Sequence, residues 1–326
     1  MFGELTIYDH PINYLKALIY LKNISVSDWY SRVFIGWNMY YGRTVLDPKS
    51  LSLDSRYWLN MGLWQSEEDT WCEASDRLMA RVLEHLDLKQ NHRILDVGCG
   101  YGESCIQILK HIEARFGSLG ADTKVCAFNI SQEQLDIVKS RVEGTRFESY
   151  IEYICGDAVE LDTHGKMFDR ILALESTPHF IPKIAFYRNA QKALRKDGKL
   201  IATDVIFRKN KPPKLISPLS NFLAALNKNH GDNMLLKEEY QDLLSSLSFS
   251  HFSIHDISEQ VLPYINKKIR EKFFSKDERL FFQKQFSVSK EARLNLMAWR
   301  INKALEMIAH HNLGYLILEL KKQQAV

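Results

Sequence analysis

The sequence predicts an α/β protein: a mostly parallel sheet with helices on both faces, extended by helical segments before and after it. Three observations carry that expectation. Short apolar runs alternate with helical patterns between Arg93 and Ile206. The runs are apolar at successive positions, as in strands buried on both faces, rather than at every second one. A turn rich in glycine, residues 98–102, separates the first run from the helical pattern that follows it.

Taken in order, residues 1–56 carry Tyr14, Tyr20, Trp29, Tyr30, Phe34, Trp37, Tyr40 and Tyr41, and the spacing of Leu15, Leu18 and Ile19 predicts short amphipathic helices. This extension is expected to pack on the main domain, cap a lipophilic substrate, or touch a membrane surface. A helix is predicted over 67–88, with Ala74, Leu78, Val82, Leu83 and Leu86 on one stripe. Strands are then expected at 93–97, 124–129, 151–155, 169–174 and 199–206, with helices at 103–116, 132–142 and 183–195. Lys211-Pro212-Pro213 breaks this rhythm. Helical patterning resumes through Leu247, a sixth strand is expected at 249–256, a long helical stretch at 258–310 and a last strand at 314–320. The chain thus divides into an extension (1–56), a core (57–210), a helical lid or substrate region (211–312) and a last strand with its tail (313–326).

Composition excludes several classes. A formal net charge of +3 is too balanced to indicate nucleic acid as a partner. The cluster Arg208-Lys209-Asn210-Lys211 reads as a solvated loop. The cysteines, at 72, 99, 105, 126 and 155, form no Cys-x-x-Cys, which points to free thiols in a reducing compartment and to no metal site. Cys99, Cys126 and Cys155 fall in or beside strands, where burial is expected. The first residues lack the basic start of a signal peptide, and no apolar run reaches the roughly 18 residues of a membrane span, so a cytoplasmic protein is expected.

The chemistry concentrates at Ile94-Leu95-Asp96-Val97-Gly98-Cys99-Gly100-Tyr101-Gly102. Glycines at 98, 100 and 102 permit a tight turn and close approach of a ligand to the backbone, and the helix that follows presents unpaired N–H groups. The dinucleotide fingerprint is Gly-x-Gly-x-x-Gly, whereas this loop is Gly-x-Gly-x-Gly.

The string Leu-Asp-Val-Gly-Cys-Gly-x-Gly closely resembles the first motif of class I S-adenosylmethionine-dependent methyltransferases. Asn129-Ile130-Ser131-x-x-Gln134 and Glu175-Ser176-x-x-His179-Phe180 resemble the subgroup of tocopherol, sterol, cyclopropane and natural-product enzymes. The resemblance implies a Rossmann-like, seven-stranded sheet with a helical lid, and S-adenosylmethionine as cofactor. It assigns Asp96, Gly98, Cys99 and Gly100 to the cofactor loop, and Asn129, Ile130, Ser131 and Gln134 to the ribose side. Gly156, Asp157 and Ala158 go to the adenine side, with the Asp157 carboxylate accepting from the amino group. Leu174 and Glu175, at the end of the fourth strand, pass the methionine part. Asn129 departs from the acid that many class I enzymes place there. Tyr57 and Trp64 resemble a leader that folds over the cofactor.

His179 is expected to face the methyl group as a base, and Asp204 to orient it, because an imidazole titrates near neutrality. The resulting expectation is methyl transfer to a lipophilic small molecule, with oxygen favoured over carbon as the acceptor atom. The alternatives are a lipid-modifying enzyme at a membrane surface and a cofactor-binding partner protein without activity. Peripheral membrane contact and self-association are compatible with either reading.

Overall fold

A computed structural model of the chain describes residues 57–208, 235–264 and 313–322. The aromatic extension, the basic cluster beyond Arg208 and most of the long helical stretch therefore lie outside the described residues. Seven strands form one sheet: β1 (Arg93–Val97), β2 (Lys124–Asn129), β3 (Ile151–Cys155), β4 (Phe168–Ala173), β5 (Leu194–Phe207), β6 (Phe249–Asp256) and β7 (Leu313–Lys322). Their order is β3-β2-β1-β4-β5-β7-β6. The first five are parallel, and β7 runs antiparallel to both β5 and β6. The sheet has the mostly parallel form that the alternation predicted and the seven strands that the resemblance implied. After β3 the chain returns to the other side of β1, so a crevice opens at the carboxyl ends of β1 and β4, where ligands of such sheets bind.

Helices whose two ends both lie among the described residues include α1 (Trp71–Leu86), α2 (Glu103–Phe116), α3 (Gln132–Val142), α4 (Lys183–Ala193) and α5 (Lys237–Ser245). One face of the sheet packs on α1, α2 and α3 through Leu78, Val82, Ile108, Leu109, Leu135 and Val138, which meet Ile94, Val125 and Ile317. The other face packs on α4 and α5 through Phe186, Ala190 and Leu244, which meet Leu95, Ile171 and Leu318. Neighbouring strand positions thus enter opposite cores, which accounts for the continuous apolar runs.

The boundaries differ from expectation where local chemistry decides them. α1 begins four residues later than its stripe suggests, because Thr70 caps it in a reciprocal box with Glu73. β5 begins at Leu194 rather than at 199, since Leu194 already pairs with Phe168 across an irregularity in the β4–β5 ladder. Cys155 is exposed, not buried, because it ends an edge strand; Cys99 and Cys126 are buried.

Beneath α4 and α5 lies a buried polar network. Lys183 Nζ stands 2.7 Å from Asp204 Oδ2. Tyr240 Oη donates to the same oxygen at 2.5 Å. Asp204 Oδ1 accepts from Val205 N at 2.8 Å. Tyr187 and Tyr240 share a hydroxyl contact of 2.9 Å, and Lys183 Nζ also donates to Thr177 O at 2.7 Å. Burial pushes both phenols well above their ordinary range and pulls the Lys183 ammonium down, while the Asp204 carboxylate opposes that fall. Removing one member of a buried ion pair leaves an uncompensated charge and costs about 3–5 kcal/mol. Lys183→Met is therefore expected to lower stability by about 3 kcal/mol or more in urea unfolding. Adding Asp204→Asn should recover part of that loss; a single mutant as stable as the parent would contradict the buried pair.

Candidate active site

The glycine loop joins β1 to α2 at the crevice. Gly98, Gly100 and Gly102 have φ of +76°, +55° and +77°, a backbone region that favours glycine. Space closes two of these positions as well. A Cβ on Gly98 would stand 2.4 Å from Ser176 Cβ, and one on Gly102 would stand 2.5 Å from Val138 Cγ1. The loop is pinned from below by Gly98 N and Cys99 N, which donate to Phe128 O at 2.8 and 3.3 Å. Gly102 N donates to Cys99 O at 2.9 Å, and the α2 N-terminus carries no side-chain cap. The amides of Gly100 and Tyr101 are not consumed by these bonds. Asp96 turns its carboxylate to the first turn of α2, where Oδ2 accepts from Ser104 Oγ and, at 3.2 Å, from Cys105 Sγ. Burial raises its pKa to about 6 against those hydrogen bonds.

At the end of β2, Asn129 Nδ2 donates to Gln134 Oε1 at 2.5 Å and to Gly100 O at 3.4 Å, which leaves its carbonyl oxygen as an acceptor. Both amides are buried, whereas Ile130 between the strand and α3 is exposed. Ser131 is the N-cap of α3: its Oγ accepts from Gln134 N at 3.3 Å and donates to Glu133 Oε2 at 2.8 Å. Beyond β3, Gly156 lies against the Phe128 ring, Ala158 is buried, and Asp157 is exposed. Asp157 Oδ1 accepts from Val159 N at 2.8 Å, which leaves its second oxygen for an outside donor.

Residues 57–64 form a strap across the loop. The Tyr57 ring meets Tyr101 edge-on at 6.2 Å and lies under the Arg141 guanidinium at 4.0 Å. Arg141 in turn pairs with Glu103 and donates to Tyr101 O. Leu59 Cδ1 comes within 3.2 Å of where a Gly100 Cβ would stand. Trp64 is buried, edge-on to Trp71 at 5.6 Å, with Nε1 donating to Met61 O at 2.8 Å. Its large apolar ring packs the strap against α1.

The strap is tied down by Glu175, one residue beyond Leu174 at the end of β4. Glu175 Oε1 accepts from Met61 N at 2.8 Å and from Tyr315 Oη at 2.6 Å. Glu175 N donates to Thr203 Oγ1 at 2.7 Å, with the residue at φ +52°, uncommon for a side chain of this kind. Burial raises the carboxyl pKa to about 7, although both donors favour the ionised form. Asn60 Nδ2, within the strap, is buried with no hydrogen-bond partner among the described residues.

His179 is exposed at the end of the short 3-10 turn Thr177–His179, with its backbone N–H bonded to Ser176 O at 3.0 Å. The expected Asp204–His179 contact is not formed. Position 204 projects into the core beneath α4 and α5, where Lys183, Tyr240 and Val205 N occupy both carboxylate oxygens. Asp204 reaches the His179 turn through Lys183, which holds Thr177 O. Sequence reasoning missed Tyr315, Lys183, Tyr240 and Arg141. No spacing signals them, because Tyr315 lies 140 residues from Glu175 and Tyr240 lies 36 from Asp204.

The family model of mycolic acid cyclopropane synthetase matches residues 50–222, more than half of the chain. Methyltransferase GfsG of Streptomyces halstedii is 28% identical over 210 residues, 63% of this chain and 70% of that protein. The 27-O-demethylrifamycin SV methyltransferase of Amycolatopsis mediterranei (strain S699) is 30% identical over 148 residues, 45% of this chain and 51% of that one. The solved cyclopropane synthase MmaA2 from Mycobacterium tuberculosis shares the fold, with a TM-score of 0.65 at 16% identity over 85% of this chain and 95% of the other. The chain belongs to the mycolic acid cyclopropane synthetase family and is an S-adenosylmethionine-dependent methyltransferase acting on small molecules.

Proposed function

We propose that the enzyme methylates an oxygen of a lipophilic small molecule, with His179 as the base. The observation that carries this reading is the strapped glycine loop: three glycines at positive φ, an uncapped helix N-terminus and a leader tied to the end of β4. The residues present fit the cofactor. The loop leaves backbone amides for its carboxylate. Asn129, backed by Gln134, offers an acceptor for the ribose hydroxyls, while the second oxygen of Asp157 suits the adenine amino group. Ile130, exposed beside them, supplies an apolar wall. Gly156, with Ala158, keeps the backbone close on that side. Cys99 lies within the loop and Leu174 just beyond β4, and Ser131 contributes by capping α3.

S-adenosylmethionine supplies a methyl group already activated on a sulfonium sulfur. The chain's tasks are to hold the acceptor, exclude water and remove a proton. Tyr57 and Leu59 cover the loop, so the strap excludes water there. His179 Nδ1 or Nε2 takes the hydroxyl proton of the acceptor. Lys183, anchored on Asp204, positions the turn that carries it. Among the described residues no helix is long and apolar enough to cross a membrane. The oxygen reading is supported by the 27-O-demethylrifamycin SV methyltransferase among the relatives. A second reading, transfer to an alkene carbon of a lipid chain, is favoured by the family match itself.

Calorimetry should show saturable binding of S-adenosylmethionine, and Gly98→Ala should weaken it at least about tenfold, since both φ and Ser176 exclude a side chain. Absence of binding by the parent chain would remove the cofactor assignment. With labelled cofactor and a panel of hydroxylated polyketides and unsaturated lipids, we expect an O-methyl product. His179→Ala should cut its rate about a hundredfold or more at unchanged cofactor affinity; a C-methyl product would establish the second reading.

The strap is also pH-dependent. Because Glu175 has a higher pKa folded than unfolded, its contribution to stability is fully present below about 4.5 and is lost as pH rises through about 7. The thermal midpoint should fall across that window, and Glu175→Gln should flatten the fall; an unchanged pH profile would disconnect Glu175 from it.

A further inference from the structure

Away from the cofactor crevice, α1, β6 and β7 bring together two imidazoles and a carboxylate that the methyl-transfer machinery does not use. His85 lies in the last turn of α1, His255 on β6 and Glu319 on β7. Ser253 pairs with Glu319 and His255 with Ile317 in the antiparallel ladder, so His255 and Glu319 project from the same face of the ribbon, the face on which α1 packs. His85 Nδ1 lies 3.2 Å from Glu319 Oε2, and the two imidazole rings are 4.5 Å apart between centroids. One ligand atom from each of the three residues falls within 4.8 Å of the others.

We propose that His85, His255 and Glu319 form a binding site for a divalent ion of the zinc class, bracing α1 against the β6–β7 edge. Two imidazoles and a carboxylate are a zinc donor set, with bonds of about 2.0–2.2 Å that place ligand atoms about 3.3 Å apart. The His85–Glu319 pair already has that separation, and a ligand atom of His255 lies within 4.8 Å of both. The protonation states also suit a metal. Burial lowers the His255 pKa toward the neutral imidazole; for Glu319 burial acts upward, but Lys199 and His85 outweigh it and hold the carboxyl below its ordinary range.

The surrounding shell orients the ligands. His255 Nε2 contacts Ser253 Oγ at 3.1 Å, and Lys199 Nζ holds Glu319 Oε1 at 2.9 Å and His85 O at 2.8 Å. Glu319 thus keeps Oε2 for the ion. The Lys199 charge sits on the other oxygen of the same carboxylate, Oε1, and weakens the site for a divalent cation. A cavity of about 350 Å³, lined by Arg81, His85, His255, Asp256, Ile257 and Gln260, leaves room for a fourth ligand such as water. No sequence spacing signals this site, because its ligands come from three separate elements and include no cysteine.

The test uses the full chain without an affinity tag, stripped with a chelator and titrated with zinc chloride by calorimetry. One equivalent should bind, raise the thermal midpoint, and be replaced by cobalt(II) with the visible absorption of a four-coordinate site without thiolate ligands. His255→Ala and Glu319→Gln should each weaken binding at least about tenfold, and Lys199→Met should tighten it, with far-UV circular dichroism confirming that each variant is folded. Absence of saturable binding in the parent chain would overturn the proposal. So would parental affinity in both the His255 and Glu319 variants, or a thiolate signature in the cobalt spectrum.

Discussion

The geometry of the active site depends on one carboxyl group. Glu175 joins three segments that are remote in the chain: the strap through Met61 N, the last strand through Tyr315 Oη, and β5 through its own N–H on Thr203 Oγ1. These bonds converge on a residue held at positive φ, an arrangement that costs backbone energy and persists because its surroundings over-determine it. Directly beside it, Ser176 Oγ donates to Val97 O at 2.7 Å and closes the space beside Gly98. The end of β4 thus sets the shape of the loop that follows β1, and it holds the leader that covers that loop.

The other face of the same strand end is organised by a second polar centre. Lys183 and Asp204 form an ion pair between α4 and β5, with Tyr240 of α5 as a further donor. The pair adds little net stability over an apolar core of the same shape, yet its geometry is demanding. It joins α5 to the turn that carries His179, because Lys183 also holds Thr177 O and Thr177 Oγ1 donates to Thr203 O. Thr203 and Asp204, adjacent on β5, therefore serve opposite faces: one steadies the strap anchor and the other the candidate base.

Much of the fold was legible in the sequence because it follows from local periodicity. The strands β1, β2, β3 and β6 lie where apolar runs were bounded by turn residues, and α2 and α3 lie where the period changed. The misplaced ends have local but less regular causes, such as the Thr70 cap and the ladder irregularity near Phe168. The glycine loop was legible for a different reason. Positive φ is a backbone requirement that glycine meets at no steric cost, so the spacing itself encodes the turn. Side-chain roles were less so: the resemblance gives Ser131 to the ribose side, and the structure shows it capping α3.

The sequence by itself determined the class of sheet, the glycine turn after β1 and the family, since each is written in contiguous residues. Only the tertiary structure decided which groups meet. It gave Asp204 to Lys183 rather than to His179, turned Trp64 inward, brought Tyr315 to Glu175 and gathered His85, His255 and Glu319 at one edge. The physical reason is that these pairings depend on strand order and on which sheet face a residue enters. A shift of one position changes the face, and no local pattern reports the partner that waits there.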